Sequence, residues 1–243
     1  RMIELAAGDL RLTLAPQIGG SIAAFRKAGV DIFRPLSAER ADAGDVLGVG
    51  SFPMLPYANR IDGNQFTFDG VAYRFEPNNG AERYNVHGTG WQSEWQVADS
   101  SSTSALLTLE RRVAGEPFLY RATQRFALSR EGLTLTMSLQ NLGPVRMPFG
   151  FGHHPWFERD ADTELRFKAS HFWLEAPDGV AGSPISLPPE LDFSEGMALP
   201  SHWRNNNYSG WDGVAELRFP TRGLTLTIEA DPIFQNLMLY ADP

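Results

Sequence analysis

Leu10, Leu12 and Leu14 alternate with polar residues, and the same period of two returns along most of the chain. Successive side chains of a strand point to opposite faces, so this period builds a surface with one apolar and one wet side. Phe66 and Phe68 lead into Asp69-Gly70, and Val71, Tyr73 and Phe75 then resume the alternation. Asp-Gly between such runs signals a hairpin, because a type I′ turn needs positive φ at both central positions. Glu131-Gly132 precedes Leu133, Leu135, Met137 and Leu139, and Thr221-Arg222-Gly223 separates Leu217 and Phe219 from Leu224, Leu226 and Ile228. The last pattern reads as another hairpin. Helical periodicity is weak, and Ala38 to Val46 holds at most a short helix or a loop. The proline-rich stretch from Asp178 to Ser201 is expected to run as a long surface excursion over a sheet. Many short strands with regular turn signals predict an antiparallel sandwich or barrel.

The 243 residues can form one all-β domain, and a single domain over residues 1–243 is expected. Apolar residues make up 42%, enough for a sizeable core. Cysteine is absent, which excludes disulfides, thiolate metal sites and a thiol nucleophile, and fits a reducing, cytoplasmic setting. The net charge of −8, with scattered arginines and no basic stripe, argues against nucleic acid. No signal peptide or apolar run of transmembrane length is present, so no membrane partner is expected. Arg1 precedes Met2, and Met2 reads as the natural start, without a cleaved leader.

Chemistry concentrates in a few segments. Met147 to Phe157 carries His153 and His154 between glycine-spaced apolar residues and Trp156-Phe157. Imidazole has an unperturbed pKa of about 6.5 and exchanges protons near neutrality. On a strand the two side chains face opposite ways, so at most one enters a given pocket. Asn85-Val86-His87-Gly88-Thr89-Gly90-Trp91 supplies a third histidine, again beside glycines and a tryptophan. That repetition suggests one pocket built from distant parts of the chain. His87 alone reads as a strand-end histidine bonded to backbone, and Trp156 alone as core. Asn59-Arg60 could offer a fork of donors to sugar hydroxyls, although a lone Arg60 reads as a surface residue. No Gly-x-Ser-x-Gly elbow, Walker loop or His-Glu-x-x-His is present.

Five segments together resemble the aldose 1-epimerase (mutarotase) family and occur in its order. They are Gly19-Gly20-Ser21-Ile22 with Phe25, Pro56-Tyr57-Ala58-Asn59-Arg60-Ile61, Asn85-Val86-His87-Gly88, His154-Pro155-Trp156-Phe157 and Asn207-Tyr208-Ser209-Gly210-Trp211. The resemblance implies a β-supersandwich with a concave sugar site and a cofactor-free interconversion of the α and β anomers of a free aldohexose. By motif, His154 is the expected general acid for the ring oxygen and His87 shares charge stabilisation. Arg60, Asn59, Trp156 and Asn205 are the expected sugar contacts. The family's base is a glutamate after the strand that Gln235 to Tyr240 resembles, and is expected beyond Pro243 in a longer natural protein. Asn205 stands where many members have an aspartate. The alternatives are a mutarotase-like carbohydrate-binding protein without turnover, a hexose-6-phosphate mutarotase, and a metal-dependent sugar isomerase using the histidines. The implied partner is a small sugar, with no cofactor or metal, on a monomer or homodimer.

Overall fold

A computed structural model describes residues 1–242, and these fall into two compact units, one over residues 1–158 and one from residue 159 onward. Both are almost entirely antiparallel β structure. Among the described residues no helix is long and apolar enough to cross a membrane.

In the first unit, one sheet runs in the order Ile3–Ala7, Leu10–Ala15, Ser21–Lys27, Ser51–Met54 and Gly152–Pro155. Leu10, Leu12 and Leu14 are buried in it, while Arg11 between the first two is exposed, as alternation predicts. The second sheet runs Leu133–Asn141, Tyr120–Leu128, Ser104–Arg111 and Gln96–Ser100. Tyr120, Ala122, Gln124, Phe126 and Leu128 form the buried face of its strand Tyr120–Leu128. Gln124, fully buried, donates to the Gly20 carbonyl at 2.9 Å. A hairpin of Gln65–Phe68 and Val71–Arg74 turns at Asp69 (φ 49°) and Gly70 (φ 77°), the positive pair that Asp-Gly anticipates.

The glycine pair Gly19-Gly20 has φ of 67° and 61°, and a Cβ on Gly19 would lie 2.1 Å from the Trp91 carbonyl oxygen. Only glycine lets this turn pass so close to backbone. Ala38 to Val46 resolves into a short helix, Ala38–Asp42, capped when the Ser37 hydroxyl accepts from the Arg40 amide.

The second unit holds two four-stranded sheets, Met197–Ala198, Glu164–Phe167, Val214–Phe219, Leu224–Glu229, and Ala181–Ser186, His171–Glu175, Arg204–Ser209, Asn236–Ala241. Phe219 pairs with Leu224 across the expected hairpin, with Gly223 at φ 61°. One expectation is corrected here. The stretch from Asp178 to Ser201 is not simply a surface excursion: Ala181–Ser186 pairs with His171–Glu175, Met197–Ala198 pairs with Glu164–Phe167, and Phe193 is buried. Both additions are edge strands, where a proline such as Pro184 interrupts no ladder on its open side.

Leu12 has no exposed surface. Leu12→Ala is expected to lower the unfolding free energy by about 2–5 kcal/mol, the usual cost of a buried leucine cavity. A denaturant titration checks this as a lower midpoint with an unchanged slope.

Candidate active site

The first unit brings His87 and His154 together. Their ring centroids lie 5.6 Å apart at an interplanar angle of 82°. The residues come from segments 67 positions apart, yet each is fixed by its own local device.

His87 sits in a loop held by two isolated bridges, Leu55 to Gly88 (parallel) and Arg60 to Val86 (antiparallel). It is not at a strand end: its φ is 61°, a left-handed conformation that costs a non-glycine residue roughly 1–2 kcal/mol. Reciprocal bonds with Asn59 hold it there. The His87 amide donates to the Asn59 carbonyl at 3.0 Å, and the Asn59 amide donates to His87 Nδ1 at 2.9 Å. Nδ1 is thereby an acceptor, so the neutral ring carries its proton on Nε2. Gly88 follows at φ 70°, and a Cβ there would lie 2.4 Å from the Leu55 carbonyl oxygen.

His154 lies opposite Phe52 in the pairing of Gly152–Pro155 with Ser51–Met54. Its ring stacks on Phe52 (4.7 Å, 27°) and on Trp156 (4.8 Å, 23°), and Phe52 stacks in turn on Trp91 (5.3 Å, 30°). Trp91 and Phe52 belong to the core cluster of Ala15, Ile18, Ala23, Val49 and Val86, and Trp156 packs against it. The Arg34 guanidinium lies over the Trp156 ring at 4.5 Å and donates to the Val49 carbonyl at 3.0 Å. Trp156 thus supports His154 and Arg34, in addition to any contact with a ligand.

Alternation separates the two adjacent histidines as expected. His153 turns to the other face, with Nε2 3.1 Å from Gln124 Oε1 and Nδ1 2.6 Å from Ser51 Oγ. The Gln124 oxygen can only accept, so Nε2 donates and the Ser51 hydroxyl donates to Nδ1. Both ring nitrogens are engaged within the protein.

Arg60 reaches a carboxylate. Its Nη2 and Nε lie 2.7 and 3.1 Å from the oxygens of Glu82, a two-pronged pair in which the guanidinium is largely covered. Asn59 contributes through its backbone, and its side-chain oxygen accepts the Arg60 amide at 2.9 Å. Asn205 belongs to the second unit, on Arg204–Ser209. It is buried and donates to Glu175 at 2.9 Å, and Trp203 Nε1 lies 3.3 Å from the same carboxylate. Among the described residues no three His, Asp or Glu side chains converge in a metal-binding group.

Burial dominates the electrostatics. It pushes His87 down to about 3, and the neighbouring His154 and Arg60 act in the same direction. Burial likewise lowers His154 to about 4, opposed by a hydrogen bond to its own backbone and assisted by the Arg34 charge. His153 falls to about 3, by burial and then by His154. The expectation of an imidazole poised near neutrality is therefore corrected. In the free protein all three rings are neutral at pH 7 and offer N–H donors.

The model of the aldose 1-epimerase family matches residues 1–243. The chain belongs to that family. It is 36% identical over 229 residues to the uncharacterised protein YphB of Escherichia coli K12, covering 94% of this chain and 77% of the relative. A solved structure from Escherichia coli K12, provisionally named an aldose 1-epimerase, superposes with a TM-score of 0.94 at 33% identity, over 99% of this chain and 81% of that one. A galactose mutarotase-like protein from Clostridium acetobutylicum superposes at 0.85 with 21% identity, over 99% of this chain and 80% of that one, a likeness of fold.

Three contributors escape sequence reading. Phe52, Glu82 and Arg34 meet the site through strand pairing and loop closure, and no local motif marks them.

Lowered histidine pKa values couple stability to pH. Unfolded histidines bind protons near pH 6.5, whereas the folded rings resist protonation until about 4 or 3, so the unfolded state holds more protons in between. Stability is therefore full above pH 6.5 and is lost as pH falls toward the folded values. Unfolding titrations at pH 7 and pH 5 are expected to show this loss, and His87→Gln is expected to make it shallower. An equal loss in the variant would assign the effect to other groups.

Proposed function

We propose that this chain interconverts the α and β anomers of a free aldohexose by acid–base opening and reclosure of the ring. The observation that carries the proposal is the convergence of His87 and His154, with a neutral His87 whose proton is committed to Nε2. Family membership supports the same reading.

Anomer exchange needs a proton removed from the C1 hydroxyl and one delivered to the ring oxygen. The O–H electrons form the C1 carbonyl, the bond from C1 to the ring oxygen breaks, and that oxygen is protonated. Rotation about C1–C2 and the reverse steps give the other anomer. His154 meets the ring oxygen with its N–H as that bond lengthens, and His87 Nε2–H shares the developing negative charge. A carboxylate base beside the sugar would favour the imidazolium and raise the His154 pKa toward neutrality. By family resemblance that base is a glutamate, a role assigned to none of the described residues. Arg60 binds hydroxyls while its charge is balanced by Glu82, and Trp156 backs the acid.

Polarimetry on freshly dissolved α-D-glucose and α-D-galactose, with this chain and with one extended past Pro243, tests the reading. Faster relaxation to anomeric equilibrium is expected from a chain carrying the base. His154→Ala is expected to lower its turnover by about 10²–10⁴-fold, the usual contribution of a positioned acid. His153→Ala is expected to lower stability while leaving turnover per folded molecule near the parent value. Parent-rate epimerisation by His154→Ala would remove it from the acid role, and no acceleration on any aldose would leave a sugar-binding protein without turnover or a phosphorylated sugar as substrate.

A further inference from the structure

The loop that carries His87 is clamped on both sides by one side chain with no place in the chemistry above. Asn78 Oδ1 accepts from the Val86 amide at 2.8 Å, and Asn78 Nδ2 donates to the carbonyls of Val86 at 2.9 Å and Gly88 at 3.0 Å. Nδ2 also lies 3.3 Å from Gln92 Oε1, and the Gln92 amide group donates back to the Asn78 carbonyl at 2.7 Å. Beneath the loop, Trp91 Nε1 donates to the same two carbonyls, at 3.2 and 3.0 Å. A single carboxamide thus imitates a neighbouring strand for residues 86 to 88 and spans the residue between them. That residue, His87, stands at φ 61°, where an unrestrained non-glycine residue tends to relax to the extended region.

We propose that Asn78 is a positioning residue for His87. By fixing both flanking peptides it holds the imidazole where its Nδ1 meets the Asn59 amide, and so commits the proton to Nε2. The catalytic part of this inference rests on the anomer-exchange reading, but the positioning part does not. Asparagine is suited to the task because its side chain offers an acceptor and a two-hydrogen donor in one plane. Asn78→Asp keeps shape and acceptor but turns an oxygen toward two carbonyls. Asn78→Ala removes all three bonds to the loop.

The test uses two independent readouts on folded protein, with folding checked by far-UV circular dichroism. The first is nitrogen-15 NMR of histidine-labelled protein. The parent is expected to show His87 as a single Nε2–H tautomer, and both variants a mixture of tautomers. The second is anomer exchange by polarimetry, where kcat is expected to fall about 10²-fold, as for a reacting group misplaced by about 1 Å, with KM changed far less. A variant that folds and keeps the parent tautomer and the parent kcat overturns the proposal. If the parent protein itself fails to accelerate exchange, the anomer-exchange reading fails, and the tautomer measurement alone decides the role of Asn78. If neither variant folds, Asn78 is a determinant of the fold and the positioning role is withdrawn.

Discussion

Stacking of His154 on Phe52 and Trp156 ties the chemistry of this chain to its core. An imidazole needs a fixed direction to act, and a histidine on an open surface has rotamer freedom that no single hydrogen bond removes. Here the ring shares faces with two aromatic neighbours, and one of these continues through Trp91 into the cluster under the first sheet. The same packing that makes the sheet stable therefore orients the imidazole. It also excludes water, which is why burial is the largest influence on all three imidazoles. Packing and reactivity are two readings of one arrangement.

Two polar side chains of the first unit, Gln124 and His153, are paired with each other. Gln124 is fully buried in the second sheet, yet its nitrogen donates to Gly20 and its oxygen meets His153. Leaving one such group without a partner would cost about 1–3 kcal/mol. These bonds fix which side of Gly152–Pro155 faces inward, because a slip of one residue would exchange His153 and His154. His153 thus specifies the register on which its neighbour depends.

Much of the fold was legible in the chain because a period of two leaves a direct mark. The leucines of Leu10–Ala15, the Asp69-Gly70 turn and the hairpin through Gly223 lie where alternation and turn chemistry put them. The opposite directions of His153 and His154 follow from the same geometry. The strands within Asp178 to Ser201 were hidden because edge pairing tolerates prolines that usually mark loops. At the site, the histidines announced themselves through their glycine and aromatic neighbours. Their partners did not: Glu82 meets Arg60 from 22 residues away, and Asn78 reaches across a loop whose closure no local pattern encodes. Nor does a sequence reveal how deeply an imidazole is buried, so the downward shift of His154 was beyond its reach.

The bond from the Asn59 amide to His87 gives this site a polarity. With Nδ1 occupied and the ring neutral, Nε2 presents only hydrogen. Ether oxygens, hydroxyl oxygens and carbonyls meet such a surface favourably, while a protonated ring nitrogen would set donor against donor. A sugar analogue with a protonated ring nitrogen is thus mismatched to the His87 side of this site. An uncharged analogue with an acceptor at the ring position matches it.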